Sequence, residues 1–294
     1  MRRVPGLLAA LALAAAAPAD ANLVEVLTYN IAGIMIFSES NPVVNTRVIS
    51  PLLNPYDLVC VQEDFHFHRD LVSQATHAYQ SVKDGRWFSG DGLNTLSRIF
   101  FDVDALPIRV TWTTCHGWFT DGWDCWGLKG FTFSRHTLAP GLEIDVYDIH
   151  ADAGNGPADA AARQVQREDL DAWITLESFG RAVVVLGDFN ARYTEEAGSV
   201  AQLLADQGLR DAWIELKRGG VVPPVGADKI DGGCGTDPGG PDCERVDKVL
   251  YRSGSGVILT PLLYEVPPNF VDAADRPLSD HDPVHVRLDV APGP

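Results

Sequence analysis

Short apolar runs separated by turn-forming residues dominate the pattern of this chain. Most of the runs are rich in Val, Ile, Leu or aromatic residues, and Gly, Pro, Asn or Asp lie between them, as is typical of β-strands. The pattern predicts strands at Leu23–Tyr29, Asp57–Val61, Leu93–Phe100, Leu106–Thr113, Gly130–Phe133, Leu142–Ile149, Ala182–Leu186, Val246–Tyr251, Val257–Leu263 and Val284–Leu288.

Helical patterns are fewer. Asn41-Pro42 and Gly156-Pro157 each place Pro at the first helical position, which is a common way for a helix to begin. Gly180 is expected to end the second of these helices. The predicted helices are 41–53, His68–Ala75, 156–180 and Glu196–Asp206.

Strands that alternate irregularly with helices predict an α/β or α+β fold with mixed sheets in packed layers. The segment Gly219–Asp242 is rich in Gly, Pro and Asp, and we interpret it as a long loop within one domain.

The N-terminus has the pattern of a secretory signal peptide. Arg2 and Arg3 precede an apolar run over Val4–Ala17, and Ala19-Asp20-Ala21 is a small-x-small cleavage site. The pattern predicts a signal peptide at 1–21, a single domain at 22–294, and a secreted or periplasmic protein. A membrane anchor is the alternative, but the run is short for a span of about 20 residues.

Composition and net charge limit the classes of function that this chain can have. The chain has 294 residues, of which 46% are hydrophobic and 21% are charged, so it has enough apolar surface to fold. The formal net charge is −17, which repels polyanions and argues against a passive nucleic-acid binder. An enzyme that carries divalent metal remains compatible with this charge.

The cysteines predict two local disulfides. Cys115 and Cys125 form one candidate pair, and Cys234 and Cys243 form the other, each within loop-like sequence of an exported chain. A zinc site built from these four thiols is the alternative, although neither pair has the short CxxC spacing. Cys60 lies in an apolar run and is interpreted as a buried free thiol.

Polar groups follow several of the predicted strands at the point where each strand ends. Asn30, Glu63 and His150 each come directly after an apolar run, and a further run leads into Asp188-Phe189-Asn190. Because four strands end in such groups, we expect these groups to lie together at one edge of the sheets and to form a site.

The residue types in this set suit one chemistry. Glu63, and Asp280 in the segment Ser279–Pro283, are hard oxygen donors of the kind that Mg²⁺, Mn²⁺ or Ca²⁺ prefers. His150 and His281 titrate near neutral pH and can carry protons or contact a phosphate. Carboxylates, amides and histidines around a hard metal suit the attack of water on a phosphoester.

Taken together, these motifs resemble the endonuclease/exonuclease/phosphatase superfamily, which has the deoxyribonuclease-I-like fold. The resemblance covers residues 27–284 and implies a four-layer sandwich of two packed mixed β-sheets flanked by helices. It is carried by Leu27–Asn30, Val61–Glu63, Gly92–Arg98, Ile149-His150, Gly187–Asn190, Arg245–Val249 and Ser279–Val284.

The resemblance implies a metal site. Glu63 would bind the divalent cation, expected to be Mg²⁺ with Mn²⁺ or Ca²⁺ as alternatives, and Asn30 and Asp280 would help to hold it. Arg98 is a candidate phosphate contact, and an equally open interpretation is that it only keeps its strand soluble.

The resemblance also implies catalytic roles. Asp188 would orient or deprotonate the attacking water, and Asn190 would hold a phosphate oxygen. His150 would act as general acid or phosphate ligand. His281 would act as general base or stabilise the transition state, and Asp247 would orient His281 by hydrogen bonding.

Aromatic residues crowd around Cys115 and Cys125. Two interpretations are open: a satellite core under a long loop, or a rigid loop for a lipid surface, a sugar or a base, with Trp118 and Trp123 as a peripheral membrane contact. The segment 123–131 also resembles secreted neutral sphingomyelinases of the same superfamily, although Gln62 stands where the bacterial enzymes usually have Asn. The residues concerned are Trp112, Trp118, Phe119, Trp123 and Trp126.

The sequence therefore predicts a secreted, divalent-metal-dependent phosphoester hydrolase, expected to be a monomer with a phosphoester substrate and no protein partner. An extracellular nuclease and a sphingomyelinase-like phospholipid headgroup hydrolase are the alternatives within this class. A catalytically silent binding protein with the same fold is the alternative outside it.

Overall fold

A computed structural model describes residues 22–34, 41–86, 90–117, 125, 127–196, 199–227 and 242–293. The predicted signal peptide 1–21, both tryptophans of the predicted membrane contact (Trp118 and Trp123) and Cys234 lie outside these described residues.

The described residues form twelve strands and five helices. The strands are β1 (Asn22–Asn30), β2 (Leu58–Gln62), β3 (Tyr79–Gln80), β4 (Asn94–Ser97), β5 (Ile108–Thr111), β6 (Gly130–Ala139), β7 (Leu142–His150), β8 (Val183–Asp188), β9 (Arg210–Asp211), β10 (Asp247–Arg252), β11 (Val257–Glu265) and β12 (Val284–Pro292). The helices are α1 (Pro42–Leu52), α2 (His68–Leu71), α3 (Pro157–Glu177), α4 (Ser199–Gln207) and α5 (Ala212–Lys217).

The strands form two six-stranded sheets. The first has the order β11-β12-β1-β2-β4-β3 and the second has the order β5-β6-β7-β8-β10-β9. Each sheet contains one parallel pair, β1 with β2 in the first and β7 with β8 in the second, among antiparallel neighbours. The prediction of two mixed sheets is confirmed.

The two sheets pack face to face, and helices cover their outer faces. The main core joins Val26 and Leu58 of the first sheet to Val146 and Val184 of the second. Leu170 and Ile174 of α3 pack on the second sheet in the same core. On the other side, a second core packs apolar side chains of α1 against β1 and β2. This layering is the predicted four-layer sandwich.

Most of the predicted strands and helices are present in the structure, but several of them begin or end at other residues than predicted. The elements β3, β9 and α5 were not predicted, because strands of two residues and a helix of six residues have too few positions to show a periodic pattern. It ended β6 at Phe133, whereas β6 continues to Ala139 and pairs with β7 along its length. Buried polar residues, such as His136, interrupt the apolar pattern there.

One predicted disulfide is confirmed and the other is not described. Cys115 and Cys125 are bonded, with an S–S distance of 2.06 Å. Cys60 is a buried free thiol, as expected. The pairing of Cys243 with Cys234 stays a prediction, because Cys234 lies outside the described residues. Within the part of the chain that the structure describes, no helix has both the length and the apolar character needed to cross a bilayer.

Candidate active site

Strand pairing brings the predicted site residues to one edge. Asn30 pairs with Gln62 at the carboxyl ends of the parallel strands β1 and β2. His150 pairs with Asp188 at the carboxyl ends of β7 and β8, and Asp188 also faces Asp247 at the start of β10. The two facing sheets therefore place their polar strand ends together. We call the following group the polar cluster: Asn30, Glu63, His150, Asp188, Asp247 and His281.

Asn30 joins the two sheets inside this cluster. Its Nδ2 group donates to Glu63 Oε1 at 3.0 Å and to Asp188 Oδ2 at 3.1 Å, and its Oδ1 atom accepts from the backbone N–H of Ala32. Asn30 is fully buried. It therefore fixes the spacing between a carboxylate of the first sheet and a carboxylate of the second.

Glu63 follows β2 in an unusual backbone conformation. Its φ is 60°, in the left-handed region, and a Cβ atom on Gly33 would lie 2.4 Å from the Glu63 carbonyl oxygen. Glycine at position 33 therefore lets the two backbones approach. Burial raises the pKa of the Glu63 carboxyl, while the Lys129 charge and the Asn30 hydrogen bond act in the opposite direction.

Asp188 is held by amides on both sides. Asn190 donates from its backbone N–H to Asp188 Oδ1 at 2.8 Å and from Nδ2 to Asp188 Oδ2 at 3.0 Å. The same Nδ2 group donates to the carbonyl of Ala151 at 3.1 Å. Both amide hydrogens of Asn190 are thus engaged in orienting the end of β8. Burial raises the pKa of Asp188, and the charge of His281 opposes this rise.

His150 is buried with neither ring nitrogen hydrogen-bonded to any described residue. Its Nε2 atom lies 3.7 Å from Glu63 Oε1 and 3.5 Å from Asp188 Oδ2. Burial holds the pKa of His150 well below its ordinary value, and the charges of Lys129 and His281 add to this effect. A neutral imidazole with unsatisfied nitrogens, close to two carboxylates, is suited to contacting a ligand.

The pKa of His281 is shifted in the opposite direction to that of His150. Its Nδ1 atom lies 2.8 Å from Asp247 Oδ2, and its Nε2 atom lies 3.8 Å from Asp188 Oδ2. Burial alone would lower the pKa of His281, but the carboxylates of Asp247 and Asp188 outweigh it and hold that pKa well above its ordinary value. The two carboxylates therefore favour the protonated form of His281.

Ser279 anchors the segment that carries His281. Its hydroxyl donates to the carbonyl of Asn30 at 2.7 Å, and it accepts from the backbone N–H of His281 at 3.2 Å. Asp280 lies between them, and its charge raises the pKa of Glu63. The structure thus brings Asp280 toward the polar cluster, although no hydrogen bond joins it to Glu63 among the described residues.

The donor set fits a hard divalent cation. The cluster gathers the carboxylates of Glu63, Asp188 and Asp247, and burial raises the pKa of Glu63 and of Asp188. Asp188, Asp247 and His281 each offer a ligand atom within 4.8 Å of the others. Buried carboxylate oxygens of this kind are typical ligands of Mg²⁺, Mn²⁺ or Ca²⁺.

Lys129 lies beside the polar cluster, although it is not among the residues that the sequence predicts for the site. Lys129 is 8% exposed, and its ammonium group donates to the carbonyl of Ala151 at 3.3 Å. Its charge acts on the pKa of Glu63, of Asp188 and of His150. A single Lys at the start of a strand shows no pattern of its own. The resemblance of segment 123–131 to secreted neutral sphingomyelinases is the signal that includes this position.

Gln62 forms a second link between the sheets beneath the cluster. Its Nε2 group donates to Asp148 Oδ1 at 2.6 Å and to Thr28 Oγ1 at 3.1 Å. Burial holds the pKa of Asp148 well above its ordinary value. Gln62 thus links β2 to β7 one residue before Glu63. This link fixes the position of the backbone that carries the Glu63 side chain.

Arg98 lies away from the polar cluster. Its backbone N–H donates to the carbonyl of Asp57, and its guanidinium donates to the carbonyl of Asn54. Because β4 runs antiparallel to β2, Arg98 lies near the start of β2, whereas Glu63 follows its end. The structure therefore does not bring this predicted phosphate contact to the other site residues.

A polar pocket of about 320 Å³ opens beside the cluster. Asn190 and Arg192, from the segment that follows β8, line one side of it, and Arg163 of α3 lines another. Arg163 pairs with Glu196 at 2.6 Å, and Arg192 pairs with Glu195 at 3.0 Å. The pocket therefore extends the site away from Asn190.

Comparison with known proteins gives relatives that match most of this chain. A sphingomyelinase from Mycobacterium tuberculosis is 38% identical over 274 residues, which cover 88% of this chain and 51% of that protein. The chain thus spans about half the length of the curated relatives that it matches.

Solved structures share the fold at low sequence identity. Beta toxin from Staphylococcus aureus, in a crystal structure with bound magnesium ions, has a TM-score of 0.59 and 14% identity over 90% of this chain and 98% of that chain. D. rerio TDP2, complexed with a single-strand DNA product, has a TM-score of 0.63 and 15% identity over 91% and 99%.

A model of the Endonuclease/Exonuclease/phosphatase family matches residues 27–281, which include every member of the polar cluster. The chain belongs to the Endonuclease/Exonuclease/phosphatase family of phosphoester hydrolases.

Proposed function

We propose that this protein is a secreted, divalent-metal-dependent phosphodiesterase that hydrolyses sphingomyelin to ceramide and phosphocholine. The observation that carries this proposal is the polar cluster itself: two histidines with oppositely shifted pKa values face the same aspartate, Asp188. The 38% identity to a sphingomyelinase supports the choice of substrate.

Glu63, Asn30 and Asp280 are proposed to hold the metal. Asp188, Asp247 and His281 also offer ligand atoms within 4.8 Å of one another, but His281 is already paired with Asp247, and we assign these three residues to proton transfer instead. A bound divalent cation would polarise the phosphoryl oxygen and would lower the pKa of a nearby water. Magnesium is the first choice because oxygen donors prevail here and because beta toxin, which has the same fold, holds magnesium ions.

The remaining residues are proposed to transfer protons or to bind the phosphoryl group. Asp188, oriented by Asn30 and Asn190, accepts a proton from the water that attacks phosphorus. His281, protonated because of Asp247 and Asp188, gives a proton to the ceramide oxygen as its bond to phosphorus breaks. His150 stays neutral and donates a hydrogen bond to a phosphoryl oxygen. Two titratable groups whose pKa values are pushed apart often carry such complementary roles.

Asn190 is proposed to position Asp188. Both Nδ2 hydrogens already bond to Asp188 and to the Ala151 carbonyl. The phosphate contact expected for Asn190 from its sequence motif stays a prediction.

A nuclease is the second candidate, since TDP2 has the same fold and was crystallised with a DNA product. The net charge of −17 favours the lipid substrate, because sphingomyelin is zwitterionic whereas a nucleic acid strand repeats negative charge. Secretion is proposed from the leader-like sequence at 1–21, which lies outside the described residues.

A substrate panel tests the proposal. Wild type, His281→Ala and a surface control, Arg276→Ala, would be incubated with sphingomyelin vesicles, plasmid DNA or bis-nitrophenyl phosphate, with Mg²⁺, Mn²⁺, Ca²⁺ or chelator. Metal-dependent release of phosphocholine by wild type and Arg276→Ala, lost in His281→Ala, is the expected result. Cleavage of DNA with no release of phosphocholine would support the nuclease. A folded wild type that turns over nothing with any metal would contradict both.

A further inference from the structure

Residues 219–227 form an exposed, uncharged loop that the proposed catalysis does not use. The loop reads Gly-Gly-Val-Val-Pro-Pro-Val-Gly-Ala, in a chain whose net charge is −17. Val221 is 64% exposed and Val225 is 53% exposed, and Val222 is also exposed. Contiguous exposed apolar side chains of this kind mark interaction surfaces.

Backbone hydrogen bonds attach this loop to buried residues of the protein at both ends. Gly220 N–H donates to the carbonyl of Ile214 at 2.9 Å, and Gly226 N–H donates to the carbonyl of Thr194 at 2.8 Å. Pro223 and Pro224 restrict the backbone between these two anchors. Pro223 is buried between these anchors, whereas the side chains of Val221, Val222 and Val225 are exposed.

The second anchor places the loop at the catalytic end of the molecule. Thr194 belongs to the segment that leaves β8 through Asp188 and Asn190, and its neighbour Glu195 lines the polar pocket that Asn190 also lines. In addition, β9 pairs antiparallel with β10 and so runs toward the end where Asp247 lies, and α5 and the loop continue from β9.

We propose that residues 219–227 rest on the surface of a zwitterionic lipid bilayer and hold the polar cluster close to lipid headgroups. This inference rests on the proposed function, because a lipid substrate is what requires contact with a bilayer. The charge of the protein selects the membrane type: a chain of net charge −17 is repelled by an anionic surface, whereas insertion of uncharged valines into a neutral surface meets no such opposition.

The chain offers a matched control. Leu176 and Phe179 are 75% and 84% exposed, at the carboxyl end of α3. Ser178, between them, bonds to Asp145, which pairs with Val183 at the start of β8. This second apolar pair is therefore at the opposite end of β8 from Asp188.

The test compares wild type with Val221→Ser/Val222→Ser/Val225→Ser and with Leu176→Ser/Phe179→Ser. Binding is measured by sedimentation with phosphatidylcholine vesicles that contain no sphingomyelin, so the readout does not depend on turnover. We expect the loop variant to bind these vesicles at least about tenfold more weakly than wild type, because three apolar side chains lose their contact with lipid. The control variant should bind as wild type does.

Turnover separates this inference from the proposed function. The loop variant should lose activity on sphingomyelin vesicles and keep wild-type activity on soluble bis-nitrophenyl phosphate. Equal vesicle binding by wild type and the loop variant, or loss of binding in the control variant instead, would overturn the inference. A wild type that binds vesicles but hydrolyses no substrate would contradict the proposed function alone. A loop variant that changes the oligomeric state and leaves vesicle binding intact would assign the loop to a contact between copies of this chain.

Discussion

Replacing Asp247 with Asn tests how His281 is prepared for proton transfer. Asp247 Oδ2 lies 2.8 Å from His281 Nδ1, and the charges of Asp247 and Asp188 hold the pKa of His281 well above its ordinary value. Asparagine keeps the size of the side chain and removes its negative charge. The pKa of His281 should therefore fall, because the imidazolium loses its nearest counter-charge.

The structure sets the size of this effect. The Asp247 side chain is 3% exposed and that of His281 is 18% exposed, so water screens the pair weakly. A buried opposite charge at this distance raises a histidine pKa by about 1–3 units. Because His281 acts in its protonated form, the alkaline limb of the profile of kcat/KM against pH should move to lower pH by about 1–3 units. At a pH above the shifted limb we expect a loss of about tenfold for each pH unit of the shift, or about 10–10³-fold, because the protonated fraction of His281 falls tenfold per unit.

The assay is the rate of phosphocholine release from sphingomyelin between pH 5 and pH 10 at saturating metal. Asp272→Asn is the control, because it removes a carboxylate from an ion pair with Arg276 at the surface. Its profile should match that of wild type. An Asp247→Asn profile with the alkaline limb unmoved would refute the assignment of His281 as a proton donor tuned by Asp247.

Four further outcomes are expected. Glu63→Gln should abolish tight Mg²⁺ binding in calorimetry without unfolding the protein, and unchanged binding would contradict the proposed metal site. Lys129→Met should raise the pKa of Glu63 further, so metal affinity should fall more steeply between pH 8 and pH 6 than in wild type, as metal titration at the two pH values would measure. Gly187→Ala should destabilise the fold by at least about 2 kcal/mol in urea unfolding, because φ is 138° and a Cβ atom would lie 2.1 Å from the Ile149 carbonyl oxygen. Burial lowers the pKa of His136 to about 3, so the unfolded chain binds the proton more readily than the folded protein does. The free energy of unfolding should therefore fall as the pH drops below about 6.5, by at most about 1.4 kcal/mol per pH unit. His136→Asn should make this dependence on pH less steep.

The sequence allowed the site to be predicted where backbone geometry dictates it. Asn30, His150 and Asp188 end strands that pair in parallel, and the carboxyl ends of parallel strands meet at one edge of a sheet. Asp247 joins them through its antiparallel register with Asp188. Residue type and position after an apolar run therefore grouped Asn30, His150 and Asp188, whereas Asp247, which begins β10, was assigned from the family resemblance alone.

Other features depend on contacts that no local pattern reveals. Lys129 reaches the site because β6 begins beside Ala151, and this follows from tertiary packing alone. Arg98 lies in a motif that resembles the family, yet the antiparallel register of β4 with β2 places it at the far end of its strand. The opposite pKa shifts of His150 and His281 arise from burial and from the placement of Asp247, which a sequence does not state.

Hydrolysis of sphingomyelin in water enriched in oxygen-18 tests the proposed chemistry most directly. Attack of water on phosphorus at the polar cluster should place one labelled oxygen in phosphocholine and none in ceramide, as mass spectrometry of both products would detect. The labelled product should form with Mg²⁺ and should not form with chelator. Label in the ceramide hydroxyl, or equal turnover with chelator, would contradict metal-assisted attack on phosphorus.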